Sequence, residues 1–287
     1  MKTVTVAHSP DADDIFMFYA IKFGWVGMDD VCFDNLALDI ETLNVKALEN
    51  VYDISAISFG LYPLIKDEYA LLKTAVSFGE GYGPKLIKKK GAKLKRHFKV
   101  ALSGKYTTNA LLFKIAYPDA KIIYKNFLEI EQAVLDGEVD AGVLIHESIL
   151  TYHDSLEVEK EVWDIWQELS GGGLPLPLGG MGIRRSLPIT RAIAYEEVLT
   201  KAVSVAEKNK KMLSKMLIQR DLIRVDAQKL EKYLDMYANE DSVSMSQIQL
   251  KAIDKLFEIG YEHGFYDEKL SVSDFLVPQE YNDFRFA

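Results

Sequence analysis

Cysteine is nearly missing from this chain: Cys32 is the only one in 287 residues. No internal disulfide can form, and a reducing compartment is expected. Set in the run VCF, Cys32 reads as a small buried hydrophobe. Long apolar runs are missing too, since none reaches the ~18 apolar residues of a membrane span. A secretory signal needs a continuous apolar stretch of roughly 7–15 residues, and MKTVTVAHSPDADD instead follows a strand-like run with three acids. The expectation is therefore a cytoplasmic protein with no membrane partner. No GxGxxG fingerprint, cysteine cluster or complete histidine–carboxylate set is visible, so neither a cofactor nor a metal is expected. The net charge of -9 gives no general affinity for nucleic acid.

What is there is ordinary globular material: 48% hydrophobic and 27% charged residues, enough for a sizeable core. The length suggests about two domains. Short β-rich runs alternate with helical patterns, which argues for βαβ units and mostly parallel strands. The first cycle runs through strand Thr3–Ala7, helix Asp13–Phe23, strand Leu36–Ile40, helix Thr42–Glu49 and strand Ile54–Ser58. Leu61–Lys66 and Leu71–Val76 complete it. A second cycle has strand Val100–Leu102, helix Thr107–Ala116, strand Lys121–Tyr124, helix Phe127–Leu135 and strand Ala141–Ile145. After Pro188 the chain reads as helices Arg191–Lys208, Ala227–Tyr237 and Gln247–Gly260. The prediction is an α/β fold of two lobes with a ligand cleft between them and a helical C-terminal tail. Residues 1–97 form the first part of lobe one, 98–187 form lobe two, and 188–287 return to lobe one.

In an open parallel sheet, ligands bind beyond the carboxyl ends of the strands. The residues that follow the expected strands are His8 and Ser9, then Glu41, Thr42 and Asn44, then Ser58, then Ser103–Thr108, and finally His146. His146, directly after AGVLI, stands where a buried strand meets the cleft, and an imidazole suits proton abstraction near neutral pH. The plainer alternative is a satisfied core histidine. Glu147 is not expected to orient it, because neighbours at i and i+1 on a helix do not face each other. SGKYTTN (Ser103–Asn109) opens a helix whose free N–H groups suit an anion, although Thr107 or Thr108 there can equally be a cap. The segment lacks the glycine spacing of a P-loop. DADD (Asp11–Asp14) reads as an acidic first helical turn complementing the macrodipole rather than as a cation site. GGGLPLPLGGMG reads as an extended wall lining the pocket, because Pro175 and Pro177 disfavour a helix. The basic run from Lys85 to Lys99 reads as a solvated hairpin or crossover. It leaves one positive region beside Ser103–Asn109, which favours a carboxylate ligand.

Taken together, SPDADDIFMFYAI, DIETLN, SFGLYPLI, GKYTTN, GVLIHESILTY and GLPLPLGGMGIRRSL resemble the 1,4-dihydroxy-6-naphthoate synthases of the futalosine route to menaquinone. The resemblance runs from about Ser9 to Leu187. It implies a periplasmic-binding-protein-like (type II) fold and a carbon–carbon lyase acting on cyclic dehypoxanthine futalosine. On the IHE match, His146 would be the general base. Ala56, Ile57 and Ser58 with Thr107, Thr108 and Asn109 would hold the substrate, and Asn44 and Ser9 would add cleft contacts. The implied partner is a small anionic carboxylate substrate, with a homodimer left open. Where the family motif reads SPCPND, this chain has SPDADD. Asp13 puts a charge where the motif has an amide, and Asp11 and Ala12 replace Cys and Pro. An added negative charge is unfavourable beside an anionic substrate unless it points away or pairs with a cation. The alternatives are chorismate dehydratase, which shares the fold but lacks GLPLPLG, and a solute-binding protein without catalysis.

Overall fold

The computed structural model describes residues 2–223 and 226–280, without the side chains of Ala12, Asp13 and Asp241. The first part of the chain forms β1 (Lys2–His8), α1 (Ala12–Lys22), β2 (Val31–Ala37), α2 (Ile40–Leu48), β3 (Ile54–Ser58), β4 (Tyr69–Leu71) and β5 (Ser77–Gly79). The middle forms β6 (Lys85–Lys89), β7 (Lys99–Leu102), α3 (Thr108–Ala116), β8 (Lys121–Tyr124), α4 (Ile130–Asp136), β9 (Ala141–Leu144), β10 (Leu156–Glu161) and α5 (Val162–Ser170). The rest is β11 (Leu176–Arg184) followed by α6 (Ile189–Lys208), α7 (Lys210–Gln219), α8 (Ala227–Tyr237) and α9 (Gln247–Glu262).

Two sheets result. The first has the order β2-β1-β3-β11-β4, with β5 also pairing β11; the second has the order β10-β6-β9-β7-β8. The βαβ rhythm shows in the parallel pairs β1–β2, β1–β3, β7–β8 and β7–β9. Strands β3 and β9 are buried along their whole length, as expected for central strands covered on both faces. Local chemistry sets where the helices start. The Asp39 carboxylate accepts the Thr42 N–H at the start of α2, the Thr107 hydroxyl accepts the Ala110 N–H at α3, and Ser246 with Gln249 forms a capping box at α9.

Several expectations need correction. The expected strand Leu36–Ile40 lies earlier, at Val31–Ala37, because Ile40 already opens α2 behind the Asp39 cap. The sheets are mixed rather than mostly parallel, since β11 runs antiparallel to β3, β4 and β5 and β6 runs antiparallel to β9 and β10. The lobe boundaries move as well. The chain leaves the first sheet after Gly79 rather than near residue 97, because the lysine-rich β6 pairs with the glutamate-rich β10 of the second sheet. Lys88 meets Glu159 at 2.5 Å and Glu157 at 3.5 Å, and Lys85 meets Glu161 at 3.9 Å, so the strand part of the basic run is paired with the facing strand. The return comes before Leu176 rather than at Pro188. Gly171, Gly172 and Gly173 all take positive φ there, a conformation that costs glycine little, and they turn the chain out of α5 into β11. Cys32 is exposed, not buried, because β2 is an edge strand and alternate residues face outward.

The C-terminal helices are part of the core. α6 and α8 pack on α1, while α9 packs on β11 of the first lobe and α5 of the second. Phe257 of α9 is fully buried, with its ring 5.9 Å from that of Tyr62. Phe257→Ala is expected to cost about 3–5 kcal/mol of stability. Urea unfolding checks this: a much smaller loss would mean that α9 contributes little to the core.

Candidate functional site

The ends of β1 and β3 of the first sheet and of β7 and β9 of the second converge on one cavity. The cavity is lined by Ser9, Asp11 and Asp14 after β1, and by Ala56, Ile57 and Ser58 of β3. Ser103, Thr107, Thr108 and Asn109 line it from the start of α3, and Ile145 and His146 line it after β9. Eight of the nine expected site residues therefore come together. Asn44 is the exception, since it is fully buried and does not line the cavity. Its amide instead holds Ser58, donating to the Ser58 hydroxyl at 3.1 Å and accepting the Ser58 N–H at 3.0 Å. Leu178–Met181 of β11 form one wall, as the proline-interrupted segment suggested, and Tyr233 and Tyr237 of α8 close another. No sequence signal singled out those two tyrosines, because their spacing is that of any amphipathic helix.

His146 starts a short 3₁₀ turn, His146–Ile149, with φ of +53°. Left-handed backbone at a residue other than glycine costs on the order of 1–3 kcal/mol and clusters at functional sites. The ring packs edge-on to Phe127, with centroids 4.9 Å apart. Its Nδ1 lies 2.5 Å from Oδ2 of Asp11. Its Nε2 is buried and has no hydrogen-bond partner among the described residues. Burial alone would lower the pKa of His146, but the charge and hydrogen bond of Asp11, with help from Glu147 and Asp14, outweigh that and raise it.

Asp11 is therefore more than a helix-start acid. Its side chain makes no cap hydrogen bond to α1; it accepts from the Ser9 hydroxyl and faces His146. The added charge at this position is paired with the His146 imidazole. Asp14 accepts the Ser9 N–H at 2.7 Å, and burial, reinforced by the Asp11 charge, pushes its carboxyl up to about 8. Near neutral pH Asp14 thus carries its proton, and the site holds less negative charge than its sequence suggests. The expectation about Asp13 falls on a side chain outside the described residues. Among the described residues, no group of three or more His, Cys, Asp and Glu side chains is placed to hold a metal ion.

The SGKYTTN loop is partly occupied by the protein itself. Glu41 of the first lobe accepts the N–H groups of Lys105 at 2.8 Å and Tyr106 at 3.2 Å. The Thr108 hydroxyl is also committed, accepting the Gly60 N–H at 2.9 Å and donating to the Leu178 carbonyl at 2.8 Å. Both sets of bonds tie the second lobe to the first. The approach is close enough that a Cβ on Gly60 would sit 2.9 Å from the Thr108 Cα. What remains for a ligand is the Ser103 hydroxyl and the Asn109 amide oxygen, both buried and without partners among the described residues, beside the N-terminus of α3.

Residues 4–262 match the family model described as menaquinone biosynthesis. The chain belongs to that family. It is 29% identical over 265 residues to the 1,4-dihydroxy-6-naphthoate synthase of Thermus thermophilus, covering 90% of this chain and 93% of the relative. The enzyme of the same name from Streptomyces coelicolor is 28% identical over 258 residues, covering 88% and 90%. Among solved structures, protein AF1704 from Archaeoglobus fulgidus superposes with a TM-score of 0.85 at 36% identity, covering 92% of this chain and 98% of that one. The ligand-binding component of an ABC-type import system from Staphylococcus aureus superposes with a TM-score of 0.68 at 11% identity, covering 99% of each chain. That second likeness establishes the periplasmic-binding-protein-like fold and nothing more. No helix of the described residues is long and apolar enough to cross a membrane.

The free and committed hydroxyls separate in a paired test. Ser103→Ala removes no intramolecular bond and is expected to leave stability unchanged within about 0.5 kcal/mol. Its affinity for an aromatic carboxylate should fall by about 1.5–3 kcal/mol. Thr108→Val breaks two bonds between the lobes and is expected to lower both stability and affinity, by about 1–3 kcal/mol. Calorimetric titration with thermal unfolding reads both, and equal behaviour of the two variants would contradict the assignment.

Proposed function

We propose that this protein is a 1,4-dihydroxy-6-naphthoate synthase, a cytoplasmic lyase that cleaves cyclic dehypoxanthine futalosine with His146 as the general base. The observation that carries the reading is the environment of His146. Its Nδ1 is held by a carboxylate, and its Nε2 is left without a partner in a cleft bordered by hydroxyl and amide groups. A solute-binding protein has no need of a strained, carboxylate-paired histidine at the edge of its cleft. The curated relatives that match nearly the whole chain carry this enzyme's name.

The chemistry asks for little beyond this. His146 takes a proton from the substrate, the electron pair released breaks the carbon–carbon bond to the ribose-derived carbons, these leave as a separate fragment, and formation of the aromatic naphthoate supplies the driving force. The Ser103 hydroxyl and the free N–H groups at the start of α3 hold the substrate's carboxylate, the Asn109 amide oxygen accepts from a substrate hydroxyl, and Ser58 is fixed beside them by Asn44. Donors already aimed at developing negative charge stabilise the transition state without reorganising. Contact between the lobes excludes water from the reacting atoms.

Incubating the purified protein with cyclic dehypoxanthine futalosine should yield 1,4-dihydroxy-6-naphthoate by mass spectrometry, also in the presence of EDTA. His146→Asn is expected to lower kcat by about 10²–10⁴-fold while substrate still binds. Wild-type turnover in that variant would remove His146 from the base role. Absence of product from the wild-type protein would refute the function.

A further inference from the structure

The partner of His146 comes from the other lobe. Asp11 follows β1 of the first sheet, whereas His146 follows β9 of the second. Their side chains are only 6% and 14% exposed, and Nδ1 lies 2.5 Å from Oδ2. The Ser9 hydroxyl donates to the other oxygen of Asp11, which fixes the carboxylate from behind. On the far side of this loop His8 stacks on Phe18, 4.8 Å between centroids, and its Nδ1 lies 2.8 Å from the Ser9 carbonyl. The loop is thus anchored to its own lobe while Asp11 reaches into the cleft.

We infer that Asp11 is the positioning residue of the base: it reaches across the cleft to hold Nδ1 of His146, leaves Nε2 for the substrate, and lets lobe closure assemble the pair. This rests on the reading of His146 as the base. A neutral imidazole has one N–H and one lone pair, and the hydrogen bond made by one nitrogen decides which atom carries the proton. Asp11 selects the Nδ1–H form and so directs the lone pair of Nε2 towards the substrate. When Nε2 accepts the substrate's proton, the imidazolium forms beside an ionised carboxylate, and the pair passes from a net charge of -1 to neutral. Separating the lobes takes Asp11 away and returns His146 to an ordinary, weaker base. The other charged groups facing His146 are Asp14 from α1 and Glu147 of its own turn. Asp14 is held largely protonated near neutral pH by burial and by Asp11 itself, so Asp11 supplies the charge that acts on Nδ1.

The sign of the pH dependence follows. The base works with Nε2 unprotonated, so kcat rises with pH through the pKa of His146, and Asp11 places that rise above pH 6.5. In Asp11→Asn the rise should move to lower pH, the plateau of kcat should fall by about 10²-fold, and KM should change little, because the amide still bridges the lobes. A merely structural role would lower both parameters and leave the position of the rise unchanged. The wild-type protein offers a second readout that needs no turnover and no variant at Asp11. Two-dimensional ¹H–¹⁵N spectra of ¹⁵N-histidine protein, with the signal of His146 assigned by its loss in His146→Asn, should show a titration above pH 6.5 and an Nδ1–H neutral form. An Nε2–H form, or a titration below 6.5, would overturn the inference. An Nδ1–H signal in a protein that makes no naphthoate would instead leave the pair standing and refute the proposed function.

Discussion

Nδ1 of His146 and Oδ2 of Asp11 lie 2.5 Å apart but belong to different sheets, so the geometry of the site depends on how the two lobes meet. The same joint is made again by Glu41 on the Lys105 and Tyr106 amides and by Thr108 between Gly60 and Leu178. It is braced from outside by Tyr266, whose hydroxyl donates to the Gly60 carbonyl at 2.7 Å. Each of these bonds contributes modestly, about 0.5–1.5 kcal/mol for a neutral pair. Together they define one closed arrangement in which the histidine, the free hydroxyl and the amide face a single space. Glycine at position 60 permits this contact, since a side chain there would collide with backbone.

Charge in the cleft is handled by pairing and by protonation. Two carboxylic side chains and an imidazole, those of Asp11, Asp14 and His146, line one cavity beside the place proposed for an anionic ligand. Left ionised, two carboxylates would repel that ligand. The Asp11 charge meets His146, and Asp14 retains its proton because burial and a neighbouring carboxylate make ionisation costly. The loop that departs most from the family motif is therefore accommodated by electrostatics local to the base, and the cleft keeps its compatibility with a carboxylate.

The βαβ rhythm was legible because it depends on local periodicity. Strands Ile54–Ser58 and Lys121–Tyr124 and helix Ala227–Tyr237 match the sequence reading residue for residue. The antiparallel members were not legible. The pairing of β6 with β10 depends on lysines meeting glutamates some seventy residues away, and β11 becomes a central strand only because the chain comes back between β3 and β4. The site divides in the same way. His146, Ser58 and Thr107 were legible as cavity-lining residues because strand ends announce themselves, and Asn109 through the GKYTTN match. Asn44 was placed one step too close to the ligand, since sequence does not tell a side chain that lines a cavity from one that holds the lining residue. The role of Asp11 was hidden because acids in a first helical turn usually serve the helix dipole. Only the fold puts His146 opposite it.

The central claim, that this cleft binds an aromatic carboxylate with His146 poised over it, is tested most directly by a crystal structure with 1,4-dihydroxy-6-naphthoate bound. The account expects the carboxylate at the Ser103 hydroxyl and the first amides of α3, with a substrate oxygen or ring carbon within reach of Nε2 of His146 while Asp11 still holds Nδ1. A naphthoate bound outside the cleft, or in it with His146 turned away and its Nδ1 separated from Asp11, would contradict the account.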